Sequence, residues 1–463
     1  MSKGQEPDGG PVKQSPRFLA VEILSRVEGG ASYANILLQH NLGVLSEGRE
    51  RSLATVLVNG CLKQRLTLDY ALRQHLRKPM SSLPVRVRQI LRTGAFQLLY
   101  LDKIPGAVAV SESVEVAKAL EPKFSALVNG VLRRVMETGR DLPWPDAMRE
   151  PVRYLSVRYS HPDWLVRRWW KRWGFAETEE LLRLDNEPAP VWIRANLLRT
   201  GREGLRERLL SEGVAAEPGE RVPESLRISG FGALAELAAF REGLFTVQDE
   251  SSQMVAHVLR PESGDAVLDA CSAPGGKTTH LAEFMRNTGS ILAFDRHEGK
   301  LRLVEELAGR LGISIIHTCP GDARELNGVE DRSQDRVLVD APCSGLGILR
   351  RKADLRWRKE EKDIEALPQL QLAILERAAA KVKRGGTLVY STCTVEPEEN
   401  FEVVKAFRST HAEFVPADLA ERLPFSLPDP RDRRQAEKGM LQLLPQRHGT
   451  DGFFLAQFTR REV

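Results

Sequence analysis

The stretch Leu268-Asp-Ala-Cys-Ser-Ala-Pro-Gly-Gly-Lys-Thr-Thr279 decides the fold of the C-terminal half of this chain. Its apolar start is typical of a buried strand, the Gly-Gly pair of a tight turn, and the residues that follow of a helix. Such a turn points backbone N–H groups and the positive end of a helix at one place, which suits a bound ligand. The stretch therefore predicts the first strand–turn–helix unit of an open sheet.

The residues around this stretch repeat the same alternation of strand and helix. Apolar runs of strand length lie at 266–270, 290–295, 314–318, 336–340 and 387–390, and a final run, which could be antiparallel, lies at 452–458. Amphipathic segments at 277–286, 297–311, 361–383 and 397–409 separate or follow them. This order predicts a doubly wound, Rossmann-like α/β domain with a mostly parallel sheet over residues 241–463.

The N-terminal half carries a different pattern. Residues 17–145 show helical periodicity with almost no strand signal, which predicts an all-helical domain. Residues 146–240 are mixed and predict a small α/β module, with helices at 163–173, 176–185 and 203–211 and a strand at 191–196. Residues 1–16 are polar and lack an apolar core, so we expect a disordered lead-in and not a signal peptide. The fold class is thus multidomain α plus α/β.

Composition excludes several classes of protein. The chain has 463 residues, 67 Lys and Arg against 63 Asp and Glu, and only five scattered cysteines. Cysteines that are few, odd in number and scattered argue against a disulfide framework and for a reducing cytoplasm. Cysteine and histidine spacings typical of zinc are missing from the sequence, so we expect no metal. No apolar run approaches the roughly 18 residues that span a bilayer, so we expect no membrane partner.

Three basic clusters indicate a nucleic acid partner. Residues 51–100 carry nine Lys and Arg against the single acid Asp69, and residues 153–173 interleave basic side chains with tryptophans. A third cluster, residues 350–359, surrounds Trp357. Basic side chains beside aromatic ones suit RNA with exposed bases. For any single cluster, the alternative is a solvated helix face whose aromatic side chains pack inward.

The Gly-Gly turn fits two kinds of ligand. It nearly matches the phosphate-binding GxxxxGK[ST] loop, so a P-loop nucleotidase acting on RNA–protein complexes is the alternative function. However, Cys271 stands where that loop needs its first glycine. Three acids, Asp295, Asp322 and Asp340, follow the second, third and fourth strands, where they suit an adenosyl group better than a triphosphate. The pattern therefore favours S-adenosylmethionine as cofactor.

Two cysteines follow predicted strands and should emerge at the same sheet edge. Cys343 comes after the fourth strand and Cys393 after the fifth. A thiolate can add to C6 of a cytosine and make C5 nucleophilic, while Asp340 is placed to contact N3 and N4 of the ring. Spacing alone leaves open which cysteine attacks. Cys61 and Cys319 lack this placement, and we expect them to be small apolar side chains.

Three segments together resemble the RNA cytosine-5 methyltransferases of the NOL1/NOP2/Sun family. They are Ala273-Pro-Gly-Gly-Lys277, Asp340-Ala-Pro-Cys-Ser-Gly345 and Ser391-Thr-Cys-Thr394. The resemblance implies a class I S-adenosylmethionine-dependent methyltransferase domain in which Cys393 is the nucleophile, Cys343 aids product release and Asp340 contacts the cytosine. It also implies a cofactor site made of Cys271, Ser272, Ala273, Pro274, Gly275, Gly276, Lys277, Asp295, Asp322 and Asp340.

Further segments are similar to the bacterial Sun group of that family, which acts on small-subunit ribosomal RNA. Among them are Val247–Gln253, Ser160–Trp164 and His448–Phe454, and the helical part resembles the RNA-binding antitermination factor NusB. The resemblance implies as partner 16S ribosomal RNA, or a partly assembled small subunit, with cytosine 967 as the target. Cys271-Ser272 departs slightly from the usual pattern. The helical part alone would also fit an RNA-binding module without catalysis.

Overall fold

The computed structural model describes residues 15–30 and 32–462, so most of the predicted lead-in lies outside the described residues. The chain forms two compact units. One comprises Met1–Glu187 with Leu349–Arg358, and the other comprises Pro188–Ile348 with Lys359–Val463. The first unit is helical, as predicted, and extends through residues that we assigned to the small α/β module. The domain limits at 145/146 and 240/241 stay predictions.

The helical unit consists of nine long or medium helices and one short one among the described residues. They are α1 Pro16–Glu28, α2 Ala34–Asn41, α3 Gly48–Lys63, α4 Arg65–Arg73, α5 Val85–Tyr100, α6 Gly106–Leu120, α7 Ser125–Thr138, α8 Pro151–Tyr159, α9 Asp163–Asn186 and, from the returning segment, α15 Leu355–Arg358. Helix α1 begins where the Ser15 hydroxyl accepts a hydrogen bond from Phe18 N. Helix α9 kinks at Gly174, which has φ +79°, and so comprises the two predicted helices.

The segment Leu349–Arg358 completes the helical core, although it comes from the middle of the C-terminal half of the sequence. Arg356 is fully buried and donates to Ser160 O at 3.1 Å. The Trp357 indole donates to Leu62 O at 2.7 Å. The prediction of an RNA-binding cluster at 350–359 is therefore wrong for Arg356 and Trp357, because their polar groups are used inside this unit.

The second unit begins with a small antiparallel sheet. Its strands are β1 Val191–Ala195, β2 Ala215–Pro218, β3 Ser225–Ser229 and β4 Phe245–Val247, in the order β2-β3-β1-β4, with helices α10 Arg202–Ser211 and α11 Ala238–Arg241. The sequence predicted only the first of these strands.

A large sheet forms the rest of the unit and confirms the predicted Rossmann-like, mostly parallel fold. Its strands are β5 Ala266–Asp269, β6 Ser290–Asp295, β7 Ile316–Pro320, β8 Gln334–Asp340, β9 Val382–Thr392, β10 Phe414–Pro416, β11 Met440–Leu443 and β12 Phe453–Arg460. The helices are α12 Glu250–Leu259, α13 Gly276–Phe284, α14 Glu298–Leu311, α16 Glu361–Lys381, α17 Val403–Thr410, α18 Pro430–Ala436 and α19 Pro445–His448.

The order of the strands determines where a ligand can bind. The sheet runs β10-β12-β9-β8-β5-β6-β7, with β11 paired to β12. Strands β5 to β9 are parallel, and β12 is antiparallel to β9, as expected for the final strand. From β5 the chain builds outward first through β6 and β7 and then, on the other side, through β8 and β9. The carboxyl ends of β5 and β8 therefore flank a topological switch point, where open α/β sheets bind ligands.

Among the described residues, no helix is both long enough and apolar enough to cross a bilayer.

Candidate active site

The turn after β5 is held by its own side chains and by a close approach to α14. Thr278 donates to the Asp269 carboxylate at 2.7 Å, and Ser272 N donates to Phe294 O at 2.7 Å. Gly275 has φ +103°, and a Cβ at this position would lie 3.1 Å from the Val304 Cα. Only glycine meets both conditions without strain. The turn thus presents the N-terminus of α13 at the switch point.

Four carboxylates act through their charges on the Cys271 thiol. After burial, the charges of Asp269, Asp340, Asp295 and Asp322, in that order, raise the pKa of the Cys271 thiol. Burial itself raises the pKa of Asp269 to about 7. The acids that the sequence placed after separate strands are therefore close to one another at one sheet edge.

This charge distribution fits an adenosyl sulfonium and does not fit a triphosphate. Carboxylates favour a cationic ligand and can accept hydrogen bonds from a ribose diol. The one lysine of the turn, Lys277, donates to Asp340 at 2.7 Å, so its charge already has an acidic partner. A phosphate-binding loop would need that ammonium to contact the ligand. A bound triphosphate would also be repelled by the negative charges of these acids.

Lys277 and Asp340 belong to a partly buried polar group that extends to β9. Ser391 donates to the second Asp340 oxygen at 2.8 Å, and the Lys277 ammonium lies 5.2 Å from the centre of the Phe453 ring. Burial lowers the pKa of Lys277, but the charge and hydrogen bond of Asp340 outweigh it and raise the pKa overall. We predicted Lys277 as a cofactor residue, and its amine in fact ends beside the predicted cytosine contact.

The two thiols predicted to meet are in contact. Cys343 follows β8 and Cys393 follows β9, and their sulfur atoms are 3.4 Å apart. Adjacent parallel strands bring them together, because Asp340 and Ser391 are register partners. The hydrogen bond to Cys393, burial, and then the charges of Cys393 and Glu399 raise the pKa of the Cys343 thiol well above its usual range. One of the two sulfurs can therefore ionise while the other keeps its proton.

Outside the cofactor turn, Cys61 and Cys319 stand apart from this pair. Cys61 lies in the core of the helical unit, where burial raises the pKa of its thiol. Cys319 lies in β7, with its sulfur 3.7 Å from His317 O. Both placements agree with the prediction that these are small apolar side chains.

Some residues of the site carried no recognisable signal in the sequence. Ser391 was visible only as part of Ser-Thr-Cys, and the buried Glu399 stands in the acidic run Glu396-Pro-Glu-Glu399, which looks like an exposed helix start. Gln371 reaches Glu399 from α16. Only the fold shows that these residues approach the thiol loops.

One further cluster contains metal-ligand types of side chain. Glu224, His257 and His280 bring their ligand atoms within 4.8 Å of one another. Both imidazoles place Nε2 against one Glu224 oxygen, at 2.8 and 2.7 Å, which matches two N–H donors to a carboxylate. The His280 Nδ1 has no hydrogen-bond partner in the part of the chain that the structure describes. A metal-bound histidine usually donates from that second nitrogen, so hydrogen bonding explains this cluster better than a metal.

Comparison with known families assigns all three parts of the chain. Residues 256–459 match the model described as 16S rRNA methyltransferase RsmB/F, residues 14–137 match the NusB family, and residues 161–234 match the ferredoxin-like domain of RsmF/B-like methyltransferases. Fold and site together therefore define a Rossmann-like methyltransferase with a NusB-like helical part.

Curated relatives narrow this class. The "probable ribosomal RNA small subunit methyltransferase B" of Bacillus subtilis is 41% identical over 454 residues, which cover 97% of this chain and 99% of the relative. The ribosomal RNA small subunit methyltransferase B of Serratia proteamaculans is 33% identical, with coverage of 95% and 97%. The chain belongs to the 16S rRNA methyltransferase RsmB/F family and is an S-adenosylmethionine-dependent methyltransferase of ribosomal RNA. The family decides against the nucleotidase and the non-catalytic module.

Two solved structures share the fold of this chain. A crystal structure of PH0851 matches with a TM-score of 0.80 and 29% identity, covering 99% of this chain and 100% of that one. The structure of NSun6 from Pyrococcus horikoshii with SFG, an analogue of S-adenosylmethionine, matches with a TM-score of 0.58 and 26% identity, covering 65% and 98%.

Proposed function

We propose that this enzyme methylates C5 of a cytosine in 16S ribosomal RNA, and that it does so through a transient bond between Cys393 and C6 of the base. The observation that carries the proposal is the pair of sulfur atoms 3.4 Å apart in the loops that follow β8 and β9. A methyltransferase that attacked an already nucleophilic atom would need neither thiol. Two thiols at one cleft suit a pyrimidine carbon that must first be activated.

Each residue has a definite part in the reaction. The Cys393 thiolate adds to C6, so the ring electrons move to C5, and Asp340 contacts the N3 and N4 edge of the ring. Bound S-adenosylmethionine supplies an electrophilic methyl group for C5. A base then removes the C5 proton, the Cys393–C6 bond breaks, and the sulfur leaves as a thiolate. Cys343 lies beside that sulfur and assists this release.

The residues proposed to hold the cofactor are the turn Cys271–Lys277 together with Asp295, Asp322 and Asp340. Asp322 stays ionised, because its hydrogen bonds with Arg324 lower its pKa to about 2. We further propose cytosine 967 as the target, and naked 16S RNA or a partly assembled small subunit as the substrate. The target base would have to be turned out of its helix to reach Cys393.

Two substitutions test the chemistry. Cys393→Ala should abolish transfer of labelled methyl while binding of S-adenosylmethionine, measured by calorimetry, remains. Cys343→Ala should trap an RNA–protein adduct that survives a denaturing gel. Cys319→Ala is the matched control, because this partly exposed thiol lies outside the pair. Full methylation by the Cys393 variant would refute the nucleophile.

The target is tested in cells. Bisulfite mapping of ribosomal RNA from a deletion strain should show the loss of one 5-methylcytosine in 16S RNA. Methylation assays on naked RNA and on isolated precursor particles then separate the two substrates. An unchanged bisulfite pattern would reject the C5 assignment while leaving the family unaffected.

A further inference from the structure

A buried carboxylate, that of Glu399, links the two cysteine loops. Its oxygens accept hydrogen bonds from Ser344 N at 2.8 Å and from the Ser344 hydroxyl at 2.5 Å, next to Cys343. They also accept from the Thr394 hydroxyl at 3.1 Å, next to Cys393. The Ser344 and Thr394 hydroxyls are themselves 2.8 Å apart. One side chain thus fixes the residue that follows each thiol.

A fourth contact ties the carboxylate to the body of the unit. Gln371 of α16 donates to Glu399 at 2.9 Å, and Glu399 is fully buried. Burial raises the pKa of this carboxyl, and the hydrogen bonds of Ser344, Gln371 and Thr394 oppose that effect. Since the surrounding groups can act as donors to it, the arrangement is complementary to an ionised acceptor.

The backbone around Glu399 is equally constrained. It lies in a single π-helical turn, Glu398–Glu402, a conformation that is rare and often found at functional sites. The Tyr390 hydroxyl donates to Glu399 O at 2.6 Å. The neighbouring Asn400 accepts from the Thr392 hydroxyl at 2.6 Å and donates to Thr394 O at 3.1 Å. Such bonding on both sides holds the carboxylate at a fixed place between the loops.

We propose that Glu399 is a positioning residue: by holding Ser344 and Thr394 on one buried carboxylate, it sets the separation of the Cys343 and Cys393 sulfurs. The proposal rests on the two-thiol chemistry proposed above. If that chemistry operates, attack and release share one cleft, and a small change in thiol separation impairs release more than cofactor binding. The hydrogen bonds of the Glu399 carboxylate go to Ser344, Thr394 and Gln371, none of which is among the residues proposed to hold the cofactor.

Substitutions at Glu399 separate its shape from its charge. Glu399→Gln keeps the size and removes the charge, and in either orientation of its amide one of the two carboxylate oxygen positions holds a nitrogen that cannot accept a hydrogen bond. Glu399→Asp keeps the charge and is one methylene shorter. The matched control is Glu402→Gln, the same change on an exposed side chain of the same π-helical turn.

The first measurement needs no RNA. Dibromobimane bridges two adjacent thiols and becomes fluorescent when it does so. In the full-length enzyme we expect the Cys343–Cys393 cross-link to form rapidly in the wild type and in Glu402→Gln. Compared at a pH where the thiols are equally ionised, the cross-link should form about tenfold more slowly or less completely in Glu399→Gln, with an intermediate rate in Glu399→Asp. Circular dichroism and melting confirm that each variant is folded.

The second measurement uses the reaction. An active-site displacement of about 1 Å can cost on the order of 100-fold in rate. We therefore expect Glu399→Gln to lower kcat by about tenfold or more, to leave KM for S-adenosylmethionine within about twofold, and to accumulate the RNA adduct. The charge of Glu399 also contributes to the raised pKa of Cys343. In Glu399→Gln the pH profile of Cys343 alkylation should therefore move to lower pH.

The outcomes distinguish the two proposals. If both Glu399 variants match Glu402→Gln in cross-linking and in kcat, the positioning role is overturned. If kcat falls but the cross-link and the pH profile do not change, Glu399 is only structural and the proposal is also overturned. If the wild type makes no 5-methylcytosine although its thiols cross-link and respond to Glu399, the proposed function fails and the positioning of the thiols stands.

Discussion

The substitution Arg194→Met tests how the small sheet supports the cofactor turn. Arg194 lies in β1 and pairs with Glu283 of α13 at 2.6 Å, and both side chains are 0% exposed. It also donates to Gly276 O at 2.7 Å, in the first turn of α13. Methionine keeps much of the apolar volume but leaves the Glu283 charge buried without its partner. Breaking a buried pair in this way costs roughly 3–5 kcal/mol.

The double variant Arg194→Met, Glu283→Gln sharpens this prediction. Because the second change removes the uncompensated charge, the double variant should be more stable than Arg194→Met alone. Burial already raises the pKa of Glu283 in the presence of Arg194. Without the arginine this carboxyl binds a proton more readily in the folded state than in the unfolded state. The free energy of unfolding of the single variant should therefore increase as the pH falls.

Urea unfolding, followed by fluorescence and circular dichroism, measures these changes. Arg227→Met is the matched control, because Arg227 pairs with Glu217 on the surface of the same sheet, with 53% and 65% of these side chains exposed. Such a surface pair contributes about 0–1 kcal/mol. We also expect Arg194→Met to bind S-adenosylmethionine more weakly. The reasoning would be refuted if Arg194→Met lost less than about 1 kcal/mol of its free energy of unfolding. It would also be refuted if the effects of the two substitutions simply added in the double variant.

Three further predictions concern other parts of the structure. Gly275→Ala should lower the free energy of unfolding by about 1–3 kcal/mol and weaken the binding of S-adenosylmethionine measured by calorimetry, because φ is +103° and the added Cβ would contact Val304. An unchanged affinity would contradict this prediction. Burial, and then the Arg194 charge, lower the pKa of His280 to about 3. As the pH falls, the imidazole therefore takes up its proton in the unfolded state before the folded state, so the free energy of unfolding should fall between about pH 6.5 and 3. In His280→Gln the melting temperature should depend less on pH over that range, and an unchanged dependence would count against this prediction. Arg356→Met should destabilise the helical unit by about 3 kcal/mol in urea unfolding, whereas the exposed Arg351→Met should not; equal effects would reject the buried role of Arg356.

The parallel part of the large sheet was predictable because strands β5 to β9 are apolar and most of them are separated by amphipathic helices, whereas β10 and β11, with three and four residues, were not predicted. The predicted strand 290–295 matches β6, and the predicted 336–340 lies within β8. The small sheet was not predictable beyond β1. Strands β2 and β4 have four and three residues, which is too short for a period of two to stand out.

The meeting of the two thiols and the acids was predictable because each follows a strand, and parallel strands end at one edge. The link from Lys277 to Asp340 was not, since a glycine-rich turn followed by lysine also describes phosphate binding. The buried roles of Arg356 and Glu399 were hidden because charged residues are ordinarily exposed. Only tertiary contacts show that each has buried polar partners.

The returning segment Leu349–Arg358 has a consequence for how this protein can be divided or inherited. Ala353 lies in the apolar core of the helical unit and Trp357 packs against that core, yet both residues come far later in the sequence than the other helices of the unit. A fragment that stops at residue 187 would lack the side chains that fill this part of the core. It would also leave the main-chain oxygen of Leu62 without the hydrogen bond that the Trp357 indole donates. A single recombination crossover near residue 187 would combine the helices of one protein with the segment 349–358 of another. We therefore expect the residues of the helical part and of this segment to change together in evolution.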